Sequence, residues 1–243
     1  SRGLLRFYFA GQPAPAVVSS PTVVSSPTPT ASSTPKLAAC NKDTLQCIND
    51  IISSGAAQTD ADAFSLFQRS CTDGDAQGCY YLGYLYEVGK GVTVNLSSAL
   101  ANYRKGCDGN SAGSCSHLGM MYDYGTGVTK DPVQAATWYK KGCESGNALG
   151  CTNLGYLYDT GKGVSQDYSQ AAAWYQKGCD GGHYLGCNNI GVLYNNGYGV
   201  PQDYKKAQSY YQKACDNNNA LACANLGHMY REGSGVPVDY AQA

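Results

Sequence analysis

Apolar side chains in this chain fall into short blocks of helical spacing, and two kinds of block alternate. Between Glu144 and Cys179, the side chains of Leu149, Cys151, Leu154, Leu157 and Tyr158 return at the intervals of one helix face, predicting a helix from about Ala148 through Asp159. Gly161-Lys162-Gly163-Val164 then breaks the pattern. Ala171, Trp174, Tyr175 and Gly178 follow at i, i+3, i+4 and i+7, predicting a second helix that begins after Asp167 and runs to Cys179. The whole pattern returns every 36 residues without slippage, which means one supersecondary unit stacked on copies of itself. The expected fold is therefore all-α, a solenoid of antiparallel helix pairs that grows along one axis rather than around one core.

Each break carries turn and cap chemistry. The paired glycines at 161 and 163 recur as Gly89 and Gly91, Gly125 and Gly127, Gly197 and Gly199, and Gly233 and Gly235. The first of each pair suits a left-handed helix C-cap, where only glycine escapes the steric cost. Asn95, Asp131, Asp167, Asp203 and Asp239 hold the N-cap place of the second helix, and Pro132 sits just inside its start, where proline is tolerated. A glycine in the middle of the first helix (Gly83, Gly119, Gly155, Gly191 and Gly227) costs about 1 kcal/mol relative to Ala each time. Close helix–helix approach is the simplest reason for it. The Gly-x-Gly follows a helix rather than a strand and has no Gly-Lys-Ser/Thr after it, so it is not a phosphate loop.

Outside the regular units the pattern changes. Residues 1–36 lack a periodic apolar face. Pro13, Pro15, Pro21, Pro27, Pro29 and Pro35 interrupt a Ser-, Thr-, Ala- and Val-rich stretch that reads as an extended, disordered linker. Residues 1–10 hold two Arg and a short apolar patch, too short and too charged to assign as an export or anchor segment. The chain lacks an initiating Met, and a fragment or a processed chain is expected. Residues 37–71 read as a degenerate capping unit, with a stripe at Leu45, Ile48, Ile51 and Ile52 and a second helix through Ala63, Phe64 and Phe67 to Cys71. Residues 72–243 hold four complete units and a fifth that stops early in its second helix, so a longer native chain or a further cap is expected.

Cysteine usage sharpens the picture. Ten of the twelve cysteines form five pairs at one spacing: Cys71 and Cys79, Cys107 and Cys115, Cys143 and Cys151, Cys179 and Cys187, Cys215 and Cys223. A local disulfide in each pair is the natural reading, and Cys40 with Cys47, one residue closer, reads as a variant pair at the cap. Ten free core thiols are the alternative, but packing alone would not demand Cys at both ends of every loop. Each bridge would join the end of one helix pair to the first turn of the next. Disulfides imply an oxidising compartment, so a secreted or periplasmic location is expected, with the mitochondrial intermembrane space as the alternative.

Several function classes drop out. A net charge of −1 gives no electrostatic case for nucleic acid, and no apolar run is long enough to span a membrane. No CxxC occurs, and His117, His183 and His228 fall at three different repeat positions, so neither a metal site nor a cofactor is expected. The one Ser-x-x-Lys, Ser33 to Lys36, lies in the linker without the partner motifs of a serine β-lactamase. The face that varies while the framework repeats is the candidate site. Just before each Leu-Gly or Ile-Gly pair stand Tyr81, His117, Asn153, Asn189 and Asn225, and one turn on come Tyr84, Met120, Tyr156 and His228. The Asn amides could hydrogen-bond the backbone of an extended peptide on the concave face, or bond neighbouring helices within the solenoid. Tyr86, Tyr122, Tyr158, Tyr194 and Tyr230 hold a repeat-fixed place and are expected in the core.

The run Leu154-Gly155, Tyr158, Gly161-Lys162-Gly163-Val164, Asp167, Ala171 and Trp174-Tyr175-Gln176-Lys177-Gly178-Cys179 resembles the Sel1-like repeat, a TPR-like helix pair. The cysteine spacing makes the chain similar to the Helicobacter cysteine-rich protein family. That resemblance implies a right-handed superhelix with one disulfide per repeat, export, and a scaffold that binds a protein or peptide partner. It also implies an alternative: a binder of β-lactam-like or cell-wall-derived ligands, or a weak β-lactamase. No catalytic residue is assigned for such a hydrolase.

Overall fold

A computed structural model describes residues 57–235, 237–239 and 241. The linker, the Cys40 and Cys47 pair, Ser33, Lys36 and the first helix of the capping unit lie outside the described residues.

Ten helices and no strand occupy the described residues, and they alternate as first and second helices of successive pairs. They are α1 (Asp60–Thr72), α2 (Ala76–Val88), α3 (Leu96–Asp108), α4 (Ala112–Tyr124), α5 (Pro132–Glu144), α6 (Ala148–Thr160), α7 (Tyr168–Asp180), α8 (Tyr184–Asn196), α9 (Tyr204–Cys215) and α10 (Ala220–Glu232). The ends are set by the chemistry read from the sequence. The Asp167 carboxylate accepts from Ser169 N at 2.9 Å and Gln170 N at 3.0 Å, and Asn95, Asp131 and Asp203 cap their helices in the same way. The first glycine of every pair is a left-handed C-cap, with φ between 68° and 77°. Replacing Asp167 by Ala is expected to lower the unfolding free energy by about 1 kcal/mol, read from the denaturant midpoint.

The first helices have caps that sequence reading did not single out. Asp75, Ser111, Asn147 and Asn219 each accept from a first-turn N–H, whereas His183 makes no such bond.

The core is a ladder of aromatic rings. Tyr103, Tyr139, Tyr175 and Tyr211, with Phe67 at the equivalent place in α1, are all 0% exposed. The repeat-fixed tyrosines expected there, Tyr86, Tyr122, Tyr158, Tyr194 and Tyr230, are only partly buried and pack against the core from outside. Each of the four tyrosine rings lies flat on the mid-helix glycine of its own pair. A Cβ at Gly155 would stand 2.7 Å from the Tyr175 ring, and at Gly119 it would stand 2.4 Å from Tyr139.

Two fastenings join each pair to the next. Cys71–Cys79, Cys107–Cys115, Cys143–Cys151, Cys179–Cys187 and Cys215–Cys223 are disulfides with Cα–Cα distances of 4.4 to 4.7 Å. Each crosses the boundary between pairs, from the last turn of a second helix to the first turn of the next. At the opposite end of the pair, the second glycine of the Gly-x-Gly presses on the start of the preceding second helix. A Cβ at Gly163 would lie 2.3 Å from the Pro132 carbonyl carbon, and one at Gly199 equally close to that of Tyr168. First helices of successive pairs touch one another, and second helices do not to the same extent, so the first helices line the inner side of the curve.

Candidate functional site

The inner side carries a cleft built across three successive first helices. Asn153 and Tyr156 come from α6, Asn189 and Leu185 from α8, and Asp123 and Tyr124 from the end of α4. Lys130 and Lys162, from the loops after α4 and α6, complete the rim. The cleft's volume of about 100 Å3 matches a side chain or chain terminus rather than a folded surface.

The candidate residues divide on this geometry. Asn153, Tyr156 and Asn189 meet in the cleft. Asn225 is 2% exposed and donates to Asn188 Oδ1 at 2.9 Å, while Asn188 in turn donates to Asn189 Oδ1 at 3.1 Å. The amide row is thus structural at its far end and open in its middle. Tyr81 is also 2% exposed and packs against Phe67 with ring centroids 4.9 Å apart and the planes tilted by 42°, so it is turned into the solenoid. Tyr84, Met120 and His228 are half-buried. His117 sits against the Tyr80 and Tyr103 rings, 5.1 Å from each centroid, with Nδ1 3.2 Å from the Gly113 carbonyl oxygen. Burial pushes its imidazole below the usual histidine range. His183 Nδ1 lies 2.8 Å from Thr152 Oγ1 at the joint between α7 and α8, and burial lowers its pKa as well.

The charged residues of the cleft were not anticipated from sequence. Asp123 is 6% exposed, and its burial raises the carboxyl pKa, an effect that Lys162 and Lys130 oppose. The Tyr139 hydroxyl faces both Asp123 and Asn153, and burial holds it well above the usual phenol range. Lys162 donates to the Tyr156 hydroxyl and rests 4.7 Å from that ring's centroid, and the hydrogen bond raises its pKa. One signal could have found Lys130: at a repeat position held by Val94, Gln166, Gln202 and Val238 in the other units, it is the one charged residue. Among the described residues no three His, Cys, Asp or Glu side chains converge on a metal-sized site, and no helix is long and apolar enough to cross a membrane.

Helix pairs of fixed length, a Gly-on-Tyr packing in each and a disulfide at every joint define a disulfide-stapled α-solenoid with an open inner cleft. The family model for the Sel1 repeat matches residues 76–111, 112–147, 148–183, 185–219 and 220–243, and the chain belongs to that family. Among solved structures, the chain is 28% identical to c5321, a protective antigen present in uropathogenic Escherichia coli strains and displaying an SLR fold. The TM-score is 0.73, and the match covers 82% of this chain but 43% of the antigen, so the chain spans less than half of that relative. A Sel1 repeat protein from Oxalobacter formigenes is similar at 28% identity and a TM-score of 0.73, with coverage of 83% and 79%. Helicobacter pylori cysteine-rich protein B is 26% identical over 60% of this chain and 96% of its own, with a TM-score of 0.43. No curated protein sequence matches the chain. The molecule is a disulfide-rich Sel1 repeat scaffold, a type typical of protein-interaction modules.

Proposed function

We propose that the chain is an exported scaffold that holds an extended peptide segment of a protein partner along its inner face. The meeting of Asn153, Asn189 and Tyr156 in one cleft carries this reading. Amides offer both a donor and an acceptor to a peptide backbone without reading its side chains. Tyrosine adds contact area at small entropic cost. The disulfide at every joint supports work in an oxidising compartment, secreted or periplasmic. The β-lactam alternative has the family resemblance behind it and gains nothing from the cleft.

The test is retention of soluble random hexapeptides on the immobilised intact chain, quantified by mass spectrometry. Changing Asn153 and Asn189 together to Ala is expected to weaken retention about 5- to 30-fold, the loss of two net hydrogen bonds, and to lower the unfolding midpoint as well, because the buried Asn188 amide loses its acceptor at Asn189 Oδ1. Asn225→Ala separates that stability cost from binding. It leaves the buried Asn188 amide short of a partner and lowers stability by about 1–3 kcal/mol while sparing retention. Equal retention by the Asn153 and Asn189 double variant and the parent would remove the cleft from the binding surface.

A further inference from the structure

The two lysines of the cleft are placed differently from their counterparts in the other units. Lys90, equivalent to Lys162, pairs with Asp60 of the preceding second helix at 3.4 Å. The residue that stands in place of Asp60 beneath Lys162 is Pro132, which offers no charge, and Lys162 turns to Tyr156 on the cleft side instead. Gln166 and Gln202, equivalent to Lys130, fold back onto the carbonyls of Asp159 and Asn195 at 2.8 Å and onto the hydroxyls of Tyr168 and Tyr204 at 3.0 Å. Pro132 also stands where those tyrosines stand, so Lys130 meets no phenol there.

Asp123 is the single acid lining the cleft. It is buried beneath the lysines, which remain exposed at the rim. The charges at this place are therefore two cations facing outward over one carboxyl held inside. Backbone-binding amides do not discriminate between charges, but this arrangement does.

We propose that the cleft takes a carboxylate of the bound segment between Lys130 and Lys162, with Asn153 and Asn189 on the adjoining peptide group; this rests on the peptide-binding reading of the groove. The carboxylate is either the C-terminal group of the segment or an Asp or Glu side chain. Both fit the cleft's volume of about 100 Å3, and both have the charge and planar acceptor pair that two ammonium groups and an amide match. Carboxylate recognition should be strongest at low ionic strength, because the lysines lie at the solvent boundary where salt screens them.

The experiment uses the intact chain and two N-acetylated random hexapeptide pools, one with free C-termini and one amidated. Retention restricted to the free-carboxyl pool identifies the terminus. Retention from both pools with enrichment of Asp or Glu identifies a side chain. Two substitutions already present at equivalent places in the fold then test the mechanism on the best retained peptide. Lys130→Gln copies Gln166 and Gln202, and Asp123→Asn copies Asn195. Lys130→Gln is expected to weaken binding about three- to fivefold at low salt, and Asp123→Asn to strengthen it by a similar factor, both effects fading toward high salt. Peptides retained without enrichment of a carboxylate, or enriched in Lys and Arg, would overturn the proposal and leave the peptide groove standing. Weakening by Asp123→Asn would overturn it too, since the carboxyl would then be the attracting group. Retention of no peptide from either pool would sink both readings.

Discussion

Gly155→Ala is expected to destabilise the chain by about 2 kcal/mol, although Gly-to-Ala in a helix interior ordinarily gains about 1 kcal/mol. The new methyl would stand 2.7 Å from Tyr175 Cδ1 and 3.0 Å from Cε1. The ring is 0% exposed and cannot swing aside, so α6 and α7 must move apart or the ring must leave its rotamer. Denaturant unfolding of the variant beside the parent gives the difference. A second variant, Gly155→Ala with Tyr175→Leu, should recover part of the methyl's cost relative to Tyr175→Leu alone, because the flat ring is what the methyl meets. Wild-type stability in Gly155→Ala would mean that the glycine serves something other than close approach.

Removing the Cys143–Cys151 disulfide by changing both residues to Ala should cost about 2.5 kcal/mol in the chain-entropy picture for a loop of this length. The bond sits at the joint between α5 and α6, near the middle of the described array, and a repeat protein holds together only as well as its joints. The loss should therefore be local. Hydrogen exchange should quicken first in the last turn of α5 and the first turn of α6, while α2 and α10 keep their protection. An unchanged midpoint together with unchanged exchange would show that packing alone holds the joint.

Much of this architecture is legible in the residues because it depends on local chemistry repeated at a fixed period. The cap at Asp167, the left-handed glycine at 161 and the bridge from Cys143 to Cys151 each need only neighbours a few residues away. What could not be read depends on contacts between helices, within a unit or across two. Tyr158 and Tyr175 look equally suited to a core, but only Tyr175 meets a glycine that lets its ring lie flat. Asn189 and Asn225 occupy one repeat position with opposite fates, because Asn188 sits opposite Asn225 and captures its amide. His117, at the same position, was expected on a binding face and is instead enclosed by Tyr80 and Tyr103. The charged rim escaped notice for the reverse reason. Lys130, Lys162 and Asp123 are ordinary surface residues in sequence, and only the curve of the array brings three units together around them.

The second glycine of each Gly-x-Gly has a mechanical consequence. Gly163 against Pro132 and the Cys143–Cys151 bond grip the same joint at opposite ends of the helix pair. A joint held at one end can swivel; a joint held at both can only flex. Twist imposed on the array then spreads over all its joints as a small elastic strain in each, as in a coil spring, and no single hinge gives way. A segment bound in the groove as proposed would meet a shape already set, with little ordering of the scaffold left to oppose its capture.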